Sequence, residues 1–176
     1  MAPLKSPILS TRCIHFQSLP WINLHPLLTN AGAQSILYLA DNAGEIAFDR
    51  LLVEQIPTER VTVAVRGHPV INDATLHDAQ AVGLDRIVEV VENGSDAPGT
   101  ILKDCSADFR RRFAEADLII AKGQGNFESL YDAPGNLLFL FKVKCSVVAG
   151  HVRQPIGMQV LIQSAACPTG SDAATE

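Results

Sequence analysis

Acidic residues are missing from the first 40 positions, where the only charged side chains are Lys5 and Arg12. An organelle leader shares that poverty in acids but is Arg-rich and amphipathic. This stretch instead carries Pro3, Pro7, Pro20 and Pro26, which interrupt any helix. Residues 1–32 are therefore expected to form an irregular N-terminal remnant. Cysteine is sparse: Cys13, Cys105, Cys145 and Cys167 stand at no metal-ligand or redox spacing. That argues against a secreted disulfide scaffold and fits the reducing cytoplasm. No apolar run approaches the roughly 20 residues a membrane helix needs, so no membrane partner is expected. A basic stripe is also lacking. The net charge is -5, and the run Arg110–Arg112 is flanked by Asp108 and Glu115, so nucleic acid is not expected as a partner. His15, His25, His68, His77 and His151 show no metal-ligand spacing, and neither a P-loop nor a serine nucleophile elbow is present.

What is present is the pattern of a globular domain, with 47% apolar and 19% charged residues. Short apolar or β-branched runs at 35–40, 61–66, 87–91 and 117–121 predict buried strands. Charged, helix-like stretches at 44–56, 73–82, 104–116 and 126–131 alternate with them. Phe109 and Phe113 share one helix face, and Asp73 stands where an N-cap would. Apolar segments at 137–143 and 146–149 and a last strand at 158–162 complete the pattern. Alternating strands and helices imply βαβ units, hence a three-layer α/β/α fold with a mostly parallel sheet. The domain is expected to span 33–165, followed by a flexible tail at 166–176.

In open α/β sheets, ligands bind outside the carboxyl ends of the strands. After the first predicted strand come Asp41, Asn42, Gly44 and Glu45; after the second, Asn72 and Asp73; after the third, Asn93, Gly94 and Asp96; after the fourth, Lys122, Gly123 and Asn126. Four strands thus deliver carboxylates, amides, glycines and one lysine to a single edge. Each residue has a plainer explanation, since Asp41, Asn42 and Asp73 suit helix caps and Asp96 suits a turn. Oxygen donors of this type also suit a hard divalent cation, and N–H groups at the entrance of a helix suit a phosphate. Lys122 resists the plainer account. Its charge in a crevice is costly unless an anion answers it. The fragment Gly123–Gly125 lacks the third glycine of a dinucleotide fingerprint. It leaves a methyltransferase or nucleotide-binding enzyme only as a fold-level alternative.

The segments LADNAGEIAFDRLLVE, VRGHPVINDAT, NGSDAPGT and ADLIIAKGQGNFESL, in this order, resemble the damage-control phosphatase family, formerly called domain of unknown function 89. The resemblance spans roughly residues 33 to 163 and is closest to small microbial-type members. It implies a phosphatase that uses a divalent metal (Mg, Mn, Co or Ni) on sugar phosphates or damaged phosphometabolites. It also implies metal ligation by Asp41, Asn42 and Asp73, and substrate contacts from Glu45, Asp96 and Lys122. Catalytic roles are expected for Asp41 and Lys122, with backbone N–H groups near Gly44 assisting at the phosphate. Whether Asp41 only holds metal or also attacks phosphorus stays open. Family members carry an N-terminal helical domain, and the proline-interrupted residues before the first strand do not supply one. A non-catalytic relative that binds metal or metabolite is therefore the second alternative.

Overall fold

Strands that are apolar along their whole length can be satisfied only when both faces of the sheet are covered. The computed structural model, which describes Phe16–Ser18 and residues 32–164, shows that arrangement. The strands are β1 (Phe16–Ser18), β2 (Ile36–Leu39), β3 (Val61–Val65), β4 (Glu89–Glu92), β5 (Leu118–Lys122), β6 (Leu137–Lys142) and β7 (Gln159–Ser164). The helices are α1 (Ile46–Val53), α2 (Leu76–Ala81), α3 (Ala107–Glu115), α4 (Gln124–Leu130) and α5 (Ser146–Val152). The sheet runs β1-β7-β6-β5-β2-β3-β4. Strands β4, β3, β2, β5 and β6 are parallel, and β7 and β1 add antiparallel at the β6 side.

Side chains of β2 alternate between two cores. Ile36 and Tyr38 join Ile46 and Val53 of α1 and Ala79 of α2. Leu37 and Leu39 join Phe109 and Phe113 of α3, Phe127 of α4 and Val148 of α5. Each large apolar side chain buried this way contributes about 1.5–3 kcal/mol, which is why the helices cover both faces. From β2 the chain steps outward through β3 to β4, then returns to lay β5 on the other flank of β2. The strand order therefore reverses between β2 and β5, and a crevice opens there at the carboxyl ends.

Several boundaries differ from the sequence expectation. The stretch at 146–149, expected only as an apolar segment, belongs to helix α5, with Val148 buried and Val147 79% exposed. Short apolar runs do not distinguish helix from strand by periodicity alone. Helix α2 starts at Leu76, not Asp73, because the Asp78 carboxylate accepts hydrogen bonds from the backbone N–H and hydroxyl of Thr75. The fourth strand extends through Lys122, so this lysine ends the strand rather than following it. The remnant expected at 1–32 and the tail at 166–176 lie outside the described residues, except for Gly32 and for Phe16–Ser18, which pair with β7. Among the described residues no helix is long and apolar enough to cross a membrane.

Candidate active site

The crevice between β2 and β5 is a cleft of about 480 Å³, within the range of small-molecule sites. Its floor is formed by Asp41, Glu45, Asp49, Lys122 and Gly123, with Phe48 and Leu52 of α1 on one side and Lys142 and Lys144 on the other.

Asp41 leaves the end of β2 and meets Gly123 at the end of β5. Gly123 has φ +81°, and a Cβ on it would lie 2.0 Å from Asp41 Oδ2. Only glycine allows the carboxylate to occupy this position. Among the described residues nothing donates a hydrogen bond to the Asp41 carboxylate. Burial, then the nearby Asp73 carboxylate, push its pKa up from 3.8 to about 6, against the opposing field of Arg66 and with Glu45 adding to the rise. The Asp73 loop is stitched directly to Asp41: Ala74 N–H donates to Asp41 O at 2.7 Å and Ala43 N–H to Asn72 O at 2.8 Å. Asn42 and Asp73 thereby face one another as an isolated antiparallel bridge.

Asp73 is held from behind by Arg66, a 2% exposed side chain whose Nε lies 2.7 Å from Asp73 Oδ2. Arg66 also donates to Thr100 and Asn126. Asn126 in turn donates to Ala40 O at 3.2 Å and Lys122 O at 2.7 Å, tying together the two strand ends that flank the crevice. Arg66 is not among the residues the sequence points to, and Asn126 is expected only at the same sheet edge, with no role assigned to it. A lone arginine after an apolar strand is visible in sequence, but its partners lie 7, 34 and 60 residues away.

Lys122 faces the same cleft. Its Nζ lies 2.6 Å from Asp49 Oδ1 and 3.2 Å from Glu45 Oε2. Burial opposes its charge, but these two carboxylates hold its pKa above the ordinary value. Its carboxylate partners are thus not Asp41 or Asp96. Asp49 was not anticipated, although its spacing of four from Glu45 places both carboxylates on one helix face. Lys144 was likewise missed, lying just past the apolar run of β6. Its field reaches Asp41, and no carboxylate pairs with it among the described residues.

Two expected site features fare differently. The backbone N–H groups of Ala43, Gly44 and Glu45 are already used within the turn, by Asn72 O, Asn42 Oδ1 and Asn42 O respectively. The expected phosphate seat on the N–H of Gly44 is corrected accordingly, because Asn42 folds back to accept it. Asp96 is exposed, and no hydrogen bond or ion pair ties it to the Asp41–Lys122 group among the described residues. Asn93 instead organises that loop, accepting from the N–H groups of Gly67 and Ser95.

Among the described residues no cluster of three or more His, Cys, Asp or Glu side chains gathers for a metal ion, so a seat built on Asp41 and Asp73 needs other oxygen donors, and the amide oxygen of Asn42, which also accepts from Gly44 N–H, is the neighbouring one. A carboxylate that lacks hydrogen-bond donors, is repelled by a second carboxylate and adjoins an amide oxygen fits a hard cation. One consequence is measurable without metal. Raising the pKa of Asp41 on folding means its contribution to stability is fully present below about 3.8 and is lost as pH rises through about 6. Metal-free Asp41→Asn is expected to be more stable than the parent at pH 7, with the gap closing toward pH 4. Urea unfolding across that range measures it, and a gap independent of pH contradicts the assignment.

The chain is similar in sequence and in fold to proteins already described. A family model, the damage-control phosphatase ARMT1-like domain, matches residues 16–160. An uncharacterized protein of Methanocaldococcus jannaschii is 42% identical over 142 residues, covering 77% of this chain and 47% of the relative. A protein of Pyrococcus horikoshii named a damage-control phosphatase is 40% identical over 136 residues, covering 75% and 47%. The crystal structure of a DUF89 family protein from P. horikoshii superimposes with a TM-score of 0.72 at 40% identity, covering 76% of this chain and 48% of that one. The chain thus spans about half the length of the curated relatives it matches. With residues 16–160 matched by the family model and the fold matched at 40% identity, this chain belongs to the damage-control phosphatase ARMT1-like family.

Proposed function

We propose that this chain is a metal-dependent phosphomonoester hydrolase for small phosphorylated metabolites, either sugar phosphates or damaged phosphometabolites, working in the cytoplasm. The observation that carries this reading is Asp41, a half-buried carboxylate without hydrogen-bond donors among the described residues, beside Asp73 and against Gly123. Asp41, Asn42 and Asp73 would hold the cation, which when bound supplies Lewis-acid polarisation of a phosphoryl oxygen. Lys144, which has no ion pair among the described residues, and Lys122 offset charge on the equatorial phosphoryl oxygens. Glu45, 54% exposed at the rim, is placed to contact the remainder of a substrate. Family membership supports phosphatase chemistry. The coverage of half the relatives' length makes the activity of this chain a question for experiment.

The cleft is open along the side of Phe48, which is 72% exposed. An open site neither excludes water nor strengthens its electrostatics as a closed one does. Turnover is therefore expected to be slow and unselective. Hydrolysis of a generic aryl phosphate in the presence of Mn should vanish with chelator and return with added metal. Hydrolysis that survives chelation, or binding of inorganic phosphate without metal at equal affinity, contradicts the reading.

A further inference from the structure

Asp49 is 3% exposed, and its Oδ1 accepts from both the Tyr38 hydroxyl at 2.8 Å and the Lys122 ammonium at 2.6 Å. Its Oδ2 is buried without a partner among the described residues. Tyr38 is fully buried in the strand that leads to Asp41. A buried, half-satisfied carboxylate is costly, and an apolar residue at this position of α1 would pack without that cost. The second carboxylate on Lys122, Glu45, is 54% exposed and lies farther from the ammonium, at 3.2 Å. One ammonium is thus shared between an inner carboxylate, anchored by a tyrosine, and an outer one at the mouth of the cleft.

We infer that Asp49 is a positioning residue: it holds the Lys122 ammonium on the inner side, so that an incoming phosphate can displace the outer Glu45 contact. Tyr38 fixes Asp49 through the shared oxygen. Without the charge of Asp49, the ammonium passes to Glu45 and is withdrawn from the phosphate. This inference rests on the phosphatase reading for its consequence, but the placement of the ammonium does not depend on turnover.

The test uses the full chain with Mn and inorganic phosphate as the probe. Asp49→Asn keeps the shape and the acceptor for Tyr38 but removes the charge. If Lys122 is then free for phosphate only about a tenth of the time, phosphate affinity falls about tenfold, with Mn affinity unchanged. Adding Glu45→Gln to Asp49→Asn releases the ammonium from its competitor and should restore most of the loss. A purely structural role for Asp49 offers no reason for that rescue. Wild-type phosphate affinity in Asp49→Asn, or a loss that Glu45→Gln leaves untouched, overturns the inference. The Lys122 ammonium is followed separately by its ¹⁵Nζ resonance without phosphate. A resonance that shifts on Asp49→Asn supports the positioning role even if no phosphate binds, in which case the phosphatase reading alone fails. A resonance that stays in place overturns it.

Discussion

Lys122→Met is expected to lower folding stability by about 3–5 kcal/mol, because it strands a buried carboxylate. Asp49 is 3% exposed, and apart from Lys122 it receives one hydrogen bond, from Tyr38. Removing the ammonium leaves this charge in the core with no counter-ion. Phosphatase activity should fall as well, by about 2–4 kcal/mol in the barrier for one lost charged donor. The two losses are separable. Replacing a buried ion pair by apolar side chains of similar volume is often neutral or stabilising. The double variant Lys122→Met with Asp49→Leu should therefore recover part of the stability, short by the roughly 1–3 kcal/mol of a buried Tyr38 hydroxyl left without its acceptor, and none of the activity. Urea unfolding of the single and double variants, beside kcat per folded molecule, provides the comparison. A double variant that is both stable and fully active removes Lys122 from the catalytic residues.

Gly123→Ala should abolish metal binding while leaving most of the fold intact. The new Cβ would lie 2.0 Å from Asp41 Oδ2 and 2.1 Å from its carboxyl carbon, so the carboxylate must leave its place beside Asp73. The backbone at φ +81° adds strain of about 1–3 kcal/mol for a residue with a side chain. If Asp41 is one of two carboxylate ligands, as proposed, its displacement should weaken Mn affinity by more than about 100-fold, beyond the 10–100-fold typical of outer-shell changes. Gly150→Ala serves as the control, since a Cβ there meets nothing within 4 Å. Calorimetric titration with Mn reads the effect. Equal Mn affinity in Gly123→Ala and the parent shows that Asp41 is not a ligand.

Much of this architecture is legible in local pattern. The runs at 36–39, 61–65 and 118–121 are apolar apart from Thr62 and bounded by polar turns, so both their type and their double coverage follow from composition. The pair Phe109 and Phe113 is buried on one face of α3, as their spacing predicts. Less legible are the places where one residue answers another far along the chain. The start of α2 was displaced because Asp78, not Asp73, reaches back to Thr75. Asp73 had two plausible duties, cap or site carboxylate. Its ion pair with Arg66 and its bridge to Asn42 set it near Asp41 and not at a helix cap. Asp49 looked like one more charge on an amphipathic helix, and nothing local reveals that its carboxylate turns inward beneath Lys122.

The amino-acid sequence by itself determined the class of fold and the edge of the sheet at which the carboxylates and the lysine gather. Repeated strand-then-helix units with right-handed crossovers send every parallel strand the same way. Asp41, Asp73 and Lys122 must therefore emerge on one side. Only the tertiary structure decided which of these groups meet. The strand order places β2 beside β5, which brings Asp41 against Gly123. The phase of α1 turns Asp49 and Glu45 toward Lys122, 73 and 77 residues away. The backbone turn at Asn42 consumes the N–H groups that a phosphate would otherwise meet. Periodicity is set by neighbours a few residues apart, whereas the pairing of buried charges is settled by whichever partners the packed core leaves within hydrogen-bond reach.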